Sequence, residues 1–493
     1  MTLPSPPGLR AVLPVLAVVP LLAACTLGPA YQRPDAAQPV AWQADAPAGA
    51  PVWPAADWWK GFRSAELDAL IAQAQTANFD IAAATARIRQ ADAALRIAGA
   101  PLLPSVSATG QETWNRVALS RRTGSSSLGG ISKSTYYETR NYELSLSASY
   151  EIDLWGRLRA TRDAALGTAL ASRFDQQTVA LTAVTGVANA WFQVLALQDR
   201  LDIAERNLRD AETTLRAIEG RASVGTASLL DVSQQQALVA GLRAQVPALR
   251  SQLTQQLNGL GILTGQLPEA ITARPGTLNT LALPEVAPGL PSELLARRPD
   301  IANAEAQLMA ANADIRVARA AFFPQVPLTL SGGWQVYSVN ALFGPGSLFA
   351  QAAIGATQQI FNNGQLSAQL EQQKARYDEL VATYRKAVVQ AFTDVENALA
   401  AYRYTTEQER LERDAVTTAQ RAADIARAQL LAGTSDIVQV LQAQTTLFNN
   451  LDLLAQVRLT RFQALVDLYK ALGGGWTRDA TAPPETKLFQ GVL

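Results

Sequence analysis

"NYELSLSASYEIDLWGRL", residues 141–158, switches from one periodicity to another within eighteen residues. Tyr142, Leu144, Leu146, Ala148, Tyr150 and Ile152 alternate with Glu143, Ser145, Ser147, Ser149 and Glu151. That is a period of two over 11 residues with aromatics near the ends, the pattern of a tilted strand between lipid and water. A β-sandwich edge over a soluble core is the other reading of the strand alone. A helical pattern follows at once. From Arg157 to about Glu219 there is no proline, and glycine occurs only at 167 and 186.

Within that run Val187, Val194, Leu201, Leu208 and Leu215 are seven apart, with Ala190, Leu197, Ala204, Ala211 and Ile218 three residues behind. This is the a/d seam of coiled-coil packing. A helix of this length spans roughly 95 Å, about three times the hydrocarbon thickness, so it must project far beyond any membrane. Beyond a turn at Gly225, the seam Val232, Val239, Val246, Leu253, Leu260 runs back, which predicts an antiparallel hairpin. Pro247 is expected to kink or interrupt the return helix.

The unit is written twice. "LRIAGAPLLPSV" (95–106) reappears as "IRVARAAFFPQV" (315–326), an offset of 220. "LWGRLRA" (154–160) matches "NNGQLSA" (362–368), and "VGTASLLDVSQQQ" (224–236) matches "AGTSDIVQVLQAQ" (432–444), both offset by 208. The first copy therefore carries 12 more residues, expected in the Ser/Gly-rich loop "RRTGSSSLGGISKS" (121–134). Each copy should run helix, two strands, long helix, turn, long helix. The remaining strands are expected at about 104–116, at Val326, Leu328, Leu330 and Trp334 on one face, and at Leu348, Ala350, Ala352 and Ile354.

Composition excludes much. Forty-two basic residues balance 42 acidic ones, so no bulk charge favours nucleic acid. With no histidine, Ser-His-Asp and Cys-His nucleophile systems and nearly every zinc arrangement are absent. "GGISKS" (129–134) lacks phosphate-loop spacing, and "GGG" (473–475) reads as a helix stop. No enzyme, cofactor or metal site is expected, and two methionines argue weakly against a Met-lined copper or silver path. Charged residues are 17% and apolar ones 48%, yet no stretch beyond the N-terminus approaches 18 uninterrupted apolar residues. Membrane contact must then come from strands.

The chain's one cysteine, Cys25, follows Arg10 and the uncharged "AVLPVLAVVPLLAA" (11–24). That run has the layout of a secretory signal and is too short to span a bilayer. Leu22-Ala23-Ala24-Cys25 looks like a bacterial lipobox, whose cysteine is acylated and becomes the new N-terminus. Thr26, not an aspartate, fits release to the outer membrane. Four strands per chain cannot close a barrel, and lipid does not tolerate open edges. Two copies would give eight strands with an interior filled by side chains; three would give twelve, with room for a channel.

"CTLGPAYQRP" (25–34), "LLARRPDIANAEAQLMAANADIRVARAAFFPQ" (294–325) and "LYKALGGGW" (468–476) closely resemble the outer-membrane factors of tripartite efflux pumps, the NodT/OprM-like lipoprotein branch of the TolC-like superfamily. The resemblance covers essentially all of 25–476. It implies an α+β membrane protein: a homotrimer with a 12-stranded transmembrane β-barrel continuous with a long periplasmic α-helical barrel. It also implies docking to a periplasmic adaptor and to an inner-membrane pump, commonly of the resistance-nodulation-division type, in the envelope of a Gram-negative bacterium. The corresponding division is a signal peptide (1–24), a lipid-anchored segment (25–63), a first repeat (64–270), a linker (271–290), a second repeat (291–476) and a tail (477–493). The family's gate lies at the periplasmic helix tips. Counted back without gaps from "LYKALGGGW", its usual Leu and Asp fall on Val438 and Gln442, so an amide stands where a carboxylate is usual. Asp436 and Asp231 are nearby carboxylates that could substitute, or could be helix caps. The expected function is a passive duct exporting small molecules. A duct for secreted polypeptides and a spacer lipoprotein without a lumen stay open on the residues alone.

Overall fold

The computed structural model describes residues 28, 30–39, 41–43, 53–119, 135–272, 274–286 and 291–476. The signal-like run, Cys25, the Ser/Gly-rich segment 120–134 and the tail lie outside them. The first repeat holds α1 (Ala65–Ala77), α2 (Phe79–Gly99), β1 (Ser105–Leu119), β2 (Thr135–Glu151), α3 (Arg157–Ser223) and α4 (Leu229–Thr264). The second holds α5 (Pro299–Ala320), β3 (Pro327–Val336), β4 (Leu348–Ile354), α6 (Gln365–Leu431) and α7 (Ile437–Ala471). The long helices α3 and α6 are both 67 residues and coincide end for end at the 208 offset. Each is launched by a glycine in the left-handed region, Gly156 at φ 76° and Gly364 at φ 80°, where a side chain would be strained. Each hairpin turns at another such glycine, Gly225 or Gly433.

The strands form one sheet in the order β1-β2-β3-β4, antiparallel throughout. The sequence-based strands are present, and the first hairpin is longer than the 104–116 reading. Its ladder runs from Ser105↔Ser149 to Leu119↔Thr135, whereas the second hairpin's runs only from Leu328↔Ile354 to Trp334↔Leu348. Much of the first copy's extra length is therefore strand rather than loop. Among the described residues, no strand partners the outer edges of β1 and β4.

The helices pair as the seam requires. Val187, Val194, Leu197, Ala204, Ala211 and Ile218 are buried on α3. Leu197 and Ala204 pack with Val246 and Leu249 of α4, and Ala211 packs with Val239 and Leu242 and with Ala419, Ala423, Leu447 and Phe448 of the other hairpin. Pro247 does not interrupt α4, which is assigned continuously across it. Val246 and Leu249 on either side are buried in the seam, and that burial outweighs the missing backbone hydrogen bond. By length and composition α3 could cross a membrane, but 56% of its most apolar 18-residue window is buried inside the molecule. It is a core helix.

Midway along α3, where the return helix α7 ends, a clasp of aromatics closes the core. Trp58 stacks on Tyr469 at 4.7 Å, and Phe62 meets Phe192 edge-on at 4.9 Å. The GGG run does more than stop α7. All three glycines lie in the left-handed region, and a Cβ on Gly473 would fall on the Arg297 carbonyl oxygen, while one on Gly475 would fall on Ala55 backbone. An N-terminal strap runs down α5 and α6 from the sheet. Gly28 lies beside Arg316 and Arg319, Arg33 grips Glu305 through two bonds of 2.8 and 2.7 Å, and Trp42 meets Phe392.

Candidate export channel and its tip

The register gives the sheet two unlike faces. One carries Val106, Ala148, Leu330 and Ala352 in a row, then Ala108, Leu146, Gly332 and Ala350, then Gly110, Leu144, Trp334 and Leu348. The opposite face carries Ser105, Ser149 and Thr329, then Ser107, Ser147, Ser331 and Gln351. The Ser107 and Ser147 hydroxyls bond each other at 3.0 Å. Tyr142 and Tyr150 bracket the apolar face on β2. Eight steps at about 3.4 Å each give roughly 27 Å along the strand, or about 21 Å of height at a tilt of about 40°, close to the apolar band of about 25 Å in outer-membrane barrels. Beyond Tyr142 that face turns charged, with Arg116 bonded to Glu138 at 3.2 Å and lying over the Tyr136 ring. An apolar face cannot meet water over such an area, and a hydroxyl face cannot meet lipid. The sheet is a wall segment with lipid outside and water inside.

At the other end of the long helices the two hairpin tips pack side by side. Ile218, Ala426, Ile437 and Val440 form their common core, with Ala227 and Val232 against it. Of the four candidate gate residues, Val438 (49% exposed) and Gln442 are exposed and lie four residues apart on one stripe of α7. Asp231 and Asp436 are both in caps. Asp231 accepts from the Ser228 amide at 2.8 Å while its own amide donates to Ser228 Oγ at 3.1 Å, a complete capping box at the start of α4. Asp436 accepts from the Val438 amide at 3.1 Å at the start of α7. Both carboxylates sit at helix N-termini, which favour negative charge. At the 208 offset Ser228 corresponds to Asp436, so the two tips place their acid at different cap positions.

Two ionic clusters higher in the helices went unread in the sequence. Glu409 of α6, with a side chain only 2% exposed, bonds Arg413 one turn on and Arg458 and Arg461 of α7, the last two at 2.9 Å. Burial pushes its carboxyl up, but the hydrogen bonds from Arg461, Arg458 and Arg413 more than reverse this and hold it at about 2. Arg298 at the start of α5 bonds Asp300 and Asp394 at 2.6 and 3.0 Å and reaches the Ala471 carbonyl. Both clusters tie one long helix to another element and line no reaction centre. The signal for the first was present: Glu409/Arg413 and Arg458/Arg461 each share a helix face.

A sheet with a dry face, a wet face and two open edges, continued by two helical hairpins whose tips pack together, defines a segment of an outer-membrane duct. The sequence profile of the outer membrane efflux protein family matches residues 70–266 and again 290–474. The chain is 41% identical over 459 residues to the pyoverdine export outer membrane protein OpmQ of Pseudomonas aeruginosa, covering 93% of this chain and 96% of that protein. It is 36% identical over 466 residues to the probable efflux pump outer membrane protein TtgC of Pseudomonas putida, covering 92% and 94%. Among solved structures it is similar to the outer-membrane channel OprN, with a TM-score of 0.84 and 28% identity over 92% of this chain and 100% of that one. The open-state MtrE outer membrane channel of Neisseria gonorrhoeae gives 0.81 at 28% identity over 93% and 100%. The chain belongs to the outer membrane efflux protein family. It is an outer-membrane channel component of an efflux pump, and three chains close its 12-stranded barrel.

Proposed function

We propose that the protein is the passive, non-enzymatic duct of a tripartite efflux pump, docked to a periplasmic adaptor and, through it, to an inner-membrane pump of the resistance-nodulation-division type. Acyl chains on Cys25 would anchor each chain to the outer membrane after removal of residues 1–24. The observation that carries the anchor is the strap: Gly28 sits beside Arg316 and Arg319 at the C-terminal end of α5, which leads into β3 at the lower rim of the sheet. Cys25 stands three positions before Gly28 in the sequence, a reach of about 10 Å at most, which supports an anchor beside that rim. Mass spectrometry of the N-terminal peptide should show acylated Cys25. A mature chain beginning elsewhere with a free thiol would overturn the anchor.

For the resting gate, the reading is a ring of Val438 side chains near the threefold axis, with Asp231 and Asp436 supplying negative charge around it and Gln442 adding none. Its support is the exposure of Val438 and Gln442 on one stripe and the two carboxylate caps beside them. In bilayer recordings, Val438→Ala should raise resting conductance and Asp231→Asn with Asp436→Asn should lower cation selectivity, whereas Gln442→Ala should leave selectivity nearly unchanged. Full selectivity in the double Asn variant would reduce both acids to caps.

A further inference from the structure

We propose that one ladder row of the barrel wall, Gln111, Glu143 and Gln335 in each chain, forms a polar collar that narrows the lumen and passes cationic solutes in preference to anionic ones. The proposal rests on three chains closing the barrel with the hydroxyl face inward. Gln111 is registered opposite Glu143, and Glu143 opposite Gln335, so the three side chains stand next to one another on adjacent strands. All three share the parity of Ser147 and Ser331, and so face the lumen.

What singles out this row is that long polar side chains stand together on three adjacent strands; in the rows below, long side chains occur only on β4, at Phe349 and Gln351. On the same face, the rows toward the periplasm are Thr109, Ser145, Gly333 and Phe349, then Ser107, Ser147, Ser331 and Gln351, then Ser105, Ser149, Thr329 and Ala353. A Gln or Glu side chain extends roughly 2.5 Å further than Ser, by two more carbon–carbon bonds. Three chains would put nine such side chains around the lumen. Because strands in a barrel tilt by about 40°, neighbouring positions in the row differ by roughly 3 Å in height, and the collar is a slanted band repeated three times.

Charge is confined to the same row. Among the described residues of the four strands, the only other ionisable carboxylate on the inner face is Glu151, which is committed to Arg157 at 2.6 Å. Arg116 and Arg140 have the opposite parity and point outward. Glu143 is held in place by the Ser145 hydroxyl, which donates to it at 3.0 Å, and the Oδ1 of neighbouring Asn141 is buried without a partner. A solute that comes within a Debye length of about 8 Å of the wall meets three carboxylates held in no ion pair with any described residue, one per chain, which set the sign of the local potential.

The test is access from outside, which does not depend on the state of the periplasmic tip. In a Cys25→Ser background, single cysteines are placed below the collar (Ser147→Cys) and well above it (Val117→Cys, three inner-face rows away on β1), and the trimer is checked by native mass spectrometry. Cationic and anionic methanethiosulfonates are then added to the extracellular side. The cation-to-anion ratio of labelling rates should be at least tenfold larger at 147 than at 117, and Glu143→Gln should bring the two ratios within twofold. Gln111→Ser with Gln335→Ser should speed both reagents at 147 and keep the charge preference. Equal ratios at 147 and 117 with Glu143 intact, in a verified trimer, would overturn the collar. Loss of the trimer, or labelling of 147 from the lipid side only, would instead overturn the barrel closure on which it rests.

Discussion

Glu409 shows how much one buried carboxylate can organise. Replacing it with Gln leaves three arginine side chains without their counter-charge, two of them largely buried. The expected cost is about 3 kcal/mol at neutral pH, the magnitude for breaking a buried ion pair from one side. Its pH dependence has a definite sign. The carboxyl is depressed from the ordinary 4.5 to about 2 in the folded protein. Its contribution is therefore present above the unfolded value and is lost as pH falls from about 4.5 toward 2. Urea unfolding followed by helical circular dichroism should show that loss in the parent and not in Glu409→Gln. Gly473 makes a harsher case, because Gly473→Ala adds a Cβ onto the Arg297 carbonyl oxygen at φ 86°. Trimer yield should collapse, and normal yield would mean the clasp is dispensable.

Among the elements, what was legible in sequence follows from which force is periodic. Lipid on one side and water on the other write a period of two, and β2 could be read from Tyr142 to Ile152. Above Tyr142 lipid no longer dictates the outer face; Arg140, Glu138 and Tyr136 break the pattern there, so the alternation leaves out the strand's first seven residues, which start at Thr135, directly after the expected loop. The seam residues of α3 were legible because burial repeats every seven. The Glu409 cluster was not, since Arg458 and Arg461 lie on another helix and pairing between helices leaves no local period. Of the candidate gate residues, the sequence names the positions and leaves capping open for Asp231 and Asp436; that both do cap depends on Ser228 and on the turns. Two changes test these elements. Pro247→Ala restores an amide inside a helix already packed on both sides, and should strengthen α4 by up to about 3 kcal/mol, seen as slower amide exchange over 240–250. Ser228→Ala removes half of the capping box and should cost about 1 kcal/mol, confined to faster exchange at the α4 end of the tip.

At the scale of the whole molecule, one chain is an incomplete object. Its sheet is dry outside, wet inside and open at β1 and β4, and its helices present Leu229, Leu230 and Leu431 to solvent near the tips. In lipid, each unpaired amide along an open edge costs several kcal/mol, so the edges must be satisfied by other copies. Twelve strands leave a lumen where eight would fill with side chains, which joins the architecture to the export function. Native mass spectrometry of the detergent-purified protein, with amide exchange read on β1 and β4, measures this most directly. Three copies per particle with both edge strands protected is the expected result; a stable single chain whose edge amides are equally protected would contradict it.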